Sequence, residues 1–315
     1  MPTISHRAQI LPQSPIRKLT PYAEKAAKEG KTIYHLNIGQ PDIKTPEIAI
    51  QAVKDFTPKV LEYTKSEGIN SLREKVVEYY KKHDIKVNSN DIIITNGGSE
   101  ALTYVIATVA NADDEIIIPE PYYANYISFS EAFDAVCVPI TSSFDDNFAL
   151  PPIEEFEKKI TPRTKAFLIC NPGNPTGYLY SKEEILQLAA IAKKYDIFLI
   201  FDEVYREFVY DGAQHFSIMQ VPDIEQNAIM IDSVSKRFSM CGARIGWVVS
   251  KNKEVMKSIL KFAQARLSPP TYSQIGAEKA FDVPESYFEE VLKEYTQRRN
   301  VLIDALQKVE GVRVS

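Results

Sequence analysis

The stretch Lys165–Tyr205, KAFLICNPGNPTGYLYSKEEILQLAAIAKKYDIFLIFDEVY, decides how this chain folds. It opens on an apolar run, Ala166–Cys170, that stops at Asn171-Pro172-Gly173, and closes on another, Ile197–Phe201, that stops at Asp202-Glu203. Short, continuous apolar runs bounded by turn signals suit strands buried on both faces. Between them, Ser181–Lys194 places Ile185, Leu188, Ala189 and Ala192 on one helical face. Ser181 with Glu184 three residues on forms a capping box at the start of that helix. Strand, helix and strand in this order are the unit of a parallel α/β sheet.

The unit recurs on both sides. Ile92–Ile94 runs into Thr95-Asn96-Gly97-Gly98, Ile116–Ile118 into Pro119-Glu120-Pro121, and Ala228–Ile231 into Asp232-Ser233. Parallel sheets bind ligands at the carboxyl ends of their strands. Polar residues gather at those ends: Gly97–Glu100, Tyr122-Tyr123, Asn171–Gly177, Asp202–Tyr205 and Ser233–Lys236. One active-site edge built from five turns is therefore expected. Outside this pattern, residues 1–38 read as a Pro-punctuated arm with a helix near Pro21–Glu29. A long charged helix runs from Pro284 to about Gln307, and Gly311–Ser315 reads as the opening of a strand.

Composition narrows the function. Lys and Arg number 37 against 42 Asp and Glu, a net charge of −5, and no basic block stands out. Nucleic acid is not the expected partner. The cysteines Cys137, Cys170 and Cys241 are odd in number and widely spaced, and the four histidines form no HxxxH pair, so neither a disulfide framework nor a metal site is expected. The N-terminus lacks a secretory apolar core, and no apolar run reaches the roughly 18–20 residues that span a bilayer. The expected location is the cytoplasm.

Five constellations carry chemistry. Lys236, in Ser233-Val234-Ser235-Lys236, follows a buried run, where a lysine forms an imine with a carbonyl compound if its surroundings lower its pKa. Ser233, Ser235 and Arg244 suit a phosphate dianion. On spacing alone a solvated surface lysine is the commoner outcome. Asp202 closes its strand where a carboxylate can keep a pyridine nitrogen protonated, although a lone Asp there is more often a cap. Tyr205 lies three residues on. Gly97-Gly98-Ser99-Glu100 opens a helix and exposes amide N–H groups at the positive end of its dipole; it is neither GxxxxGK[ST] nor GxGxxG. Asn171-Pro172-Gly173-Asn174-Pro175 fixes an unusual turn that can present an asparagine to a phenolate oxygen. Tyr123 can stack on a flat heteroaromatic ring or simply pack in the core. Together these are the parts a pyridoxal-phosphate site requires.

The same residues resemble the aspartate-aminotransferase-like family of class I/II aminotransferases, pyridoxal-phosphate enzymes of fold type I. The resemblance runs from about Leu36 to Trp247. It is carried by Asn37-Ile38-Gly39-Gln40-Pro41-Asp42, Tyr63-Thr64-x-x-x-Gly68, Gly97–Leu102, Asn171–Gly177, Asp202-Glu203-x-Tyr205 and Ser233–Trp247. It implies a mostly parallel seven-stranded sheet flanked by helices in a large domain at 39–283. A smaller α+β domain would be built from the arm at 1–38 and the segment 284–315. It implies that Lys236 is the Schiff-base lysine and proton carrier, that Asp202 pairs with the pyridinium nitrogen, and that Asn174 and Tyr205 bond the phenolic oxygen. Tyr123 would stack on the ring. The amides of Gly98, Ser99 and Glu100, with Ser233, Ser235 and Arg244, would hold the phosphate. Tyr63 would reach the neighbouring subunit's phosphate in a homodimer, and Gly39 and Asn174 would meet the substrate.

The expected reaction is transfer of an amino group between an L-amino acid and a 2-oxo acid by a ping-pong mechanism. The alternative is a C–S β-lyase using the same cofactor parts; a non-catalytic sensor domain is the reading from a different class. In the family an arginine beyond the long helix clamps the substrate α-carboxylate. The sequence stops at Ser315 before a matching position, with Arg313 too early to serve. Ser99 stands where some members acting on dicarboxylates carry a lysine, which weakens an aspartate or glutamate preference.

Overall fold

A computed structural model describes residues 2–315. Seven strands form one sheet: β1 (Ile92–Thr95), β2 (Glu115–Glu120), β3 (Val136–Thr141), β4 (Thr164–Cys170), β5 (Phe198–Asp202), β6 (Ala228–Ser233) and β7 (Gly246–Val249). Their order is β1-β7-β6-β5-β4-β2-β3. Only β7 runs antiparallel to its neighbours, pairing Ile94 with Trp247 on one side and Ser233 with Gly246 on the other. Strands β1 to β6 therefore all end on the same edge.

Among the described residues the α-helices are α1 (His6–Ile10), α2 (Thr20–Lys28), α3 (Glu47–Asp55), α4 (Asn70–Lys81), α5 (Gly97–Val109), α6 (Asn125–Glu131), α7 (Ile153–Lys159), α8 (Lys182–Lys194), α9 (Val234–Arg237), α10 (Lys253–Arg266), α11 (Thr271–Ala280) and α12 (Glu285–Leu306). The capping box expected before α8 is present: Ser181 Oγ accepts the Glu184 N–H at 3.2 Å and Glu184 accepts the Ser181 N–H at 2.7 Å.

Alternation along each strand feeds two cores. Ile92, Ile94, Phe167, Ile169, Leu199, Phe201, Met230 and Trp247 pack on one face, with α4, α8 and α11. Ile93, Ala166, Leu168, Ile200, Ile229, Ile231 and Val248 pack on the other, with α5 and α10. Burying both faces explains why the strands read as unbroken apolar runs. Each buried Leu, Ile or Phe contributes about 1.5–3 kcal/mol, so the sheet is a rigid base for the loops on its edge.

Two strands lack such a run. β3, Val-Cys-Val-Pro-Ile-Thr, is an edge strand with only Ile140 fully buried, and β7 is four residues long. The strand expected at Gly311–Ser315 does not form. Residues 312–315 are irregular, and Arg313 lies 4.4 Å over the Phe144 ring while pairing with Asp145. A Val-Arg-Val pattern makes a strand only beside an edge to pair with, and Arg313 instead draws this segment onto an exposed loop. The described residues contain no helix long and apolar enough to cross a membrane.

Candidate active site

The strand ends converge as expected. At β1, the chain turns through Asn96 into α5 with Gly97 at φ +79°. A Cβ on Gly97 would lie 2.3 Å from Arg244 Nη2, so glycine is what lets the guanidinium settle over the start of α5. Gly246 is equally constrained, since a Cβ there would stand 2.6 Å from the Gly98 nitrogen. Arg244 itself adopts a left-handed φ of +55° and donates only to backbone carbonyls, Cys241 O at 3.1 Å and Asn96 O at 3.3 Å. Among the described residues its charge has no carboxylate partner.

Around it, the α5 N-terminus presents the amides of Gly98, Ser99 and Glu100. The Glu100 carboxylate turns away from them: Oε2 accepts the Asn96 N–H at 2.8 Å and Arg266 Nη1 at 3.0 Å. Ser233 and Ser235 stand at the end of β6, where Ser233 Oγ accepts the Ser235 N–H at 3.3 Å. A helix dipole, an unneutralised guanidinium and two hydroxyls make a site for a dianion.

Lys236 lies on α9, one turn long. Its Nζ donates to the Gly39 carbonyl at 2.6 Å and sits 5.7 Å from the centre of the Tyr205 ring. Tyr205 in turn accepts from Asn174 Nδ2 at 3.3 Å. The Asn174 turn after β4 and the Tyr205 turn after β5 thus meet over the lysine. Tyr205 is the nearest neighbour of a Cβ placed on Gly39, at 3.8 Å. Burial pushes the Tyr205 phenol well above its ordinary range.

Asp202 is buried at the end of β5. Burial pushes its carboxyl up to about 6, against hydrogen bonds from the Tyr126 hydroxyl and the Val204 amide that favour the charged form. Tyr126 OH donates to Oδ2 at 2.8 Å. Tyr123 packs edge-on to Tyr126 at 5.4 Å and accepts from Asn125 Nδ2 at 2.8 Å. Its phenol is raised by burial and by Asp202, with Arg244 and Arg17 acting the other way.

The structure therefore brings together Gly39, Gly98, Ser99, Glu100, Tyr123, Asn174, Asp202, Tyr205, Ser233, Ser235, Lys236 and Arg244 on one edge. Tyr63 stands apart. It is 78% exposed, beside the exposed Val60 and Leu61. Sequence reasoning missed Tyr126. The available signal was its place one helical turn after Tyr123, with α6 starting at the end of β2, which carries position 126 back over the sheet.

Comparisons with known proteins agree. The sequence matches the family described as aminotransferase class I and II over residues 31–315. An aspartate aminotransferase of Bacillus sp. (strain YM-2) is 31% identical over 315 residues, 99% of this chain and 80% of that protein. One of Pyrococcus horikoshii is 33% identical over 99% of this chain and 79% of its own length. Among solved structures, an alanine aminotransferase from Pyrococcus furiosus superposes with a TM-score of 0.92 at 31% identity, over 98% of this chain and 80% of that one. An aspartate aminotransferase from Thermotoga maritima gives 0.90 at 30% identity, over 97% and 80%. The chain belongs to the class I and II aminotransferases and is an enzyme of that kind.

Proposed function

We propose that this aminotransferase uses pyridoxal 5'-phosphate to move an amino group between an L-amino acid and a 2-oxo acid in two half-reactions, with Lys236 as the residue that holds the cofactor's carbonyl carbon. The observation that carries the reading is the meeting of three turns. Lys236 Nζ touches Gly39, Asn174 touches Tyr205, and the buried Asp202 faces the same edge with a raised pKa.

The residues fit the cofactor. The close Gly97–Gly246 approach leaves Arg244 over the α5 N-terminus, and among the described residues no carboxylate neutralises it. Arg244, Ser233, Ser235 and the amides of Gly98, Ser99 and Glu100 would take the phosphate. Tyr123 would cover one face of the ring. When bound, the cofactor supplies an electron sink for the pair left at the substrate α-carbon. Asp202 would hold a proton at the ring nitrogen, and the low-dielectric surroundings that raise its pKa would also strengthen that pairing. Asn174 and Tyr205 would donate to the ring oxygen. The Lys236 amine, placed beside Gly39, carries the proton at the substrate α-carbon. Gly39 and Asn174 lie on the substrate side.

Tyr63 is assigned to the phosphate of a neighbouring subunit in a homodimer. The exposed Val60, Leu61 and Tyr63 lie near exposed Leu267 and Tyr272, an apolar area suited to a second copy of this chain. Residues 39–283 form the cofactor-binding domain, with 1–38 and 284–315 contributing to a smaller one. Three free thiols, Cys137, Cys170 and Cys241, suit a reducing, cytoplasmic setting. The relatives quoted above are named as aminotransferases, and no observation favours the C–S β-lyase.

Borohydride treatment of the yellow protein tests the reading. It should bleach the colour and fix the cofactor's mass on the tryptic peptide containing Lys236; an adduct on any other lysine would remove Lys236 from the role.

A further inference from the structure

The turn that presents Asn174 to Tyr205 is fastened on its far side. At its head, the Asn171 N–H donates to the Asp202 carbonyl at 3.0 Å, tying the end of β4 to the end of β5. The Asn171 side chain is committed within the fold: Oδ1 accepts the Tyr180 N–H at 3.1 Å, and Nδ2 donates to the Phe216 carbonyl at 3.4 Å. Further along, the Gly173 N–H donates to the Tyr178 carbonyl and the Gly177 N–H to the Gly173 carbonyl, each at 2.8 Å. The Asn171 carbonyl receives a side chain from outside the turn, with His215 Nε2 at 3.2 Å. A carbonyl only accepts, so Nε2 carries the proton. Burial and the Arg206 charge lower the imidazole pKa to about 3, which keeps the ring neutral and Nδ1 bare.

His215 is itself held firmly. It precedes the 3-10 turn Ile218–Gln220, and its side chain is 6% exposed. On Oε1 the buried Glu203, next to Asp202, accepts the Ser217 hydroxyl at 2.8 Å and the Ile218 N–H at 3.0 Å. Its Oε2 stands 3.8 Å from His215 Nε2 and 3.7 Å from Arg206 Nη1. Residues 215–218 are thus pinned to the end of β5, and from there one N–H reaches across to the head of the Asn174 turn. His215 Nδ1 has no hydrogen-bond partner among the described residues, a cost that an apolar side chain would avoid. What the imidazole adds in return is the aim of its Nε2–H.

We propose that His215 is a positioning residue: its Nε2–H fixes the Asn171 carbonyl and thereby the setting of the Asn174 amide toward the cofactor's ring oxygen. For the ring oxygen the proposal rests on the pyridoxal-phosphate reading of the site; for the turn it rests on the contacts above. A donor to the ring oxygen favours the charged oxygen. When the Asn174 amide drifts away, the proton beside Lys236 Nζ is held to higher pH, and the pH-dependent colour of the loaded protein shifts with it.

Spectrophotometric titration of the cofactor-loaded protein reads that shift. The midpoint should rise by about one unit in His215→Leu, the effect of losing one hydrogen bond to a charged oxygen. It should return to the parental value in His215→Gln, whose amide nitrogen falls where Nε2 stood. Asn174→Ala should raise it at least as much, and His215→Leu should add little on top, because the histidine acts through the asparagine. His215→Asn, polar but too short to reach the carbonyl, should behave as His215→Leu and replaces it if the leucine variant does not fold. In the cofactor-free protein, the Gly173 and Gly177 amides should exchange hydrogen at least about tenfold faster in His215→Leu and His215→Asn, and at the parental rate in His215→Gln. Parental exchange in both shortened variants overturns the proposal, as does a parental midpoint in them where Asn174→Ala has shifted. A full further shift in the double variant, or no rescue by glutamine, also overturns it. If the parent forms no borohydride adduct on Lys236, or Asn174→Ala leaves the midpoint in place, the cofactor reading is at fault, and the exchange rates still decide whether His215 anchors the turn.

Discussion

Three pairs of sequence neighbours face opposite ways in this molecule. Asp202, Ser233 and Lys236 line the site, while Glu203, Asp232 and Arg237 beside them point into the interior. The interior set is densely partnered. Arg237 is fully buried, with Nη2 at 2.7 Å from Asp232 and Nε at 3.0 Å from Glu207, and its guanidinium lies 4.3 Å over the Tyr79 ring. Asp232 also accepts from Tyr80 OH at 2.8 Å, which accepts from Trp247 Nε1 at 2.6 Å. The site set is sparse: among the described residues Asp202 has one side-chain donor and no cation bonded to it, and Arg244 has no carboxylate. The same strand ends thus carry charges satisfied by the fold and charges left for a ligand. Substitutions should separate the two sets, stability responding on one side and chemistry on the other.

The largest effect is expected at Asp202. Under the proposed function, Asp202→Asn leaves the phosphate anchors intact and should retain cofactor, but asparagine would not keep the ring nitrogen protonated. Transamination should fall on the order of a thousandfold, about 4 kcal/mol of barrier. Without cofactor the same substitution should stabilise the fold. Because burial raises the folded pKa of Asp202 from 3.8 to about 6, ionising it costs stability as pH rises through that window. The cofactor-free Asn variant should therefore match the parent near pH 4 and exceed it above pH 6, by up to about 3 kcal/mol. Near-parental turnover would remove Asp202 from the chemistry, and a pH-independent stability difference would remove it as a strained buried charge.

On the interior side, Arg237→Met should reduce stability by about 3–5 kcal/mol, because the buried Asp232 and the partly buried Glu207 lose their shared cation. Burial alone would raise the Glu207 pKa, but the charges of Arg237 and Arg206 outweigh it and hold it below the ordinary value. A depressed carboxylate contributes stability above its unfolded pKa and loses it in acid, so the deficit of Arg237→Met should be greatest above about pH 5 and shrink below it. Denaturant unfolding at pH 4 and pH 7 measures this. Adding Asp232→Asn and Glu207→Gln should recover most of the loss; no recovery would mean that Arg237 matters through packing rather than charge.

Much of this division was legible in the chain. The runs ending at Cys170, Phe201 and Ile231 located three central strands because burial on both faces leaves no polar residue in them, and the turns that stop those runs held the site. β3 was not legible, since an edge strand with exposed Val136 lacks that signature, and β7 was too short to show a period. The Val312–Ser315 pattern misled because local preference says nothing about whether an edge is available to pair. Asp202 and Lys236 were readable as reactive types at strand ends. The interior partners of Arg237 and Asp232 were not, because Tyr79, Tyr80 and Glu207 come from distant segments that only packing brings together.

Tyr126 belongs to neither set, and its effect should be the smallest. It is fully buried and gives its hydroxyl to Asp202 at 2.8 Å, a bond that favours the ionised carboxylate against burial. Tyr126→Phe keeps the ring and its edge-on contact with Tyr123 and removes only the donor. Losing one hydrogen bond to a charged group is worth about 1.5 kcal/mol, close to one pKa unit. In the cofactor-free protein, the loss of stability that accompanies Asp202 ionisation should then continue about one unit beyond the parental midpoint near pH 6. The variant should differ least from the parent near pH 4 to 5, where Asp202 is protonated in both, and most above pH 7. Thermal melts across that range decide it. A constant offset at every pH would mean that the hydroxyl merely fills space, whereas a shifted midpoint shows that a residue outside the site sets the charge of one within it.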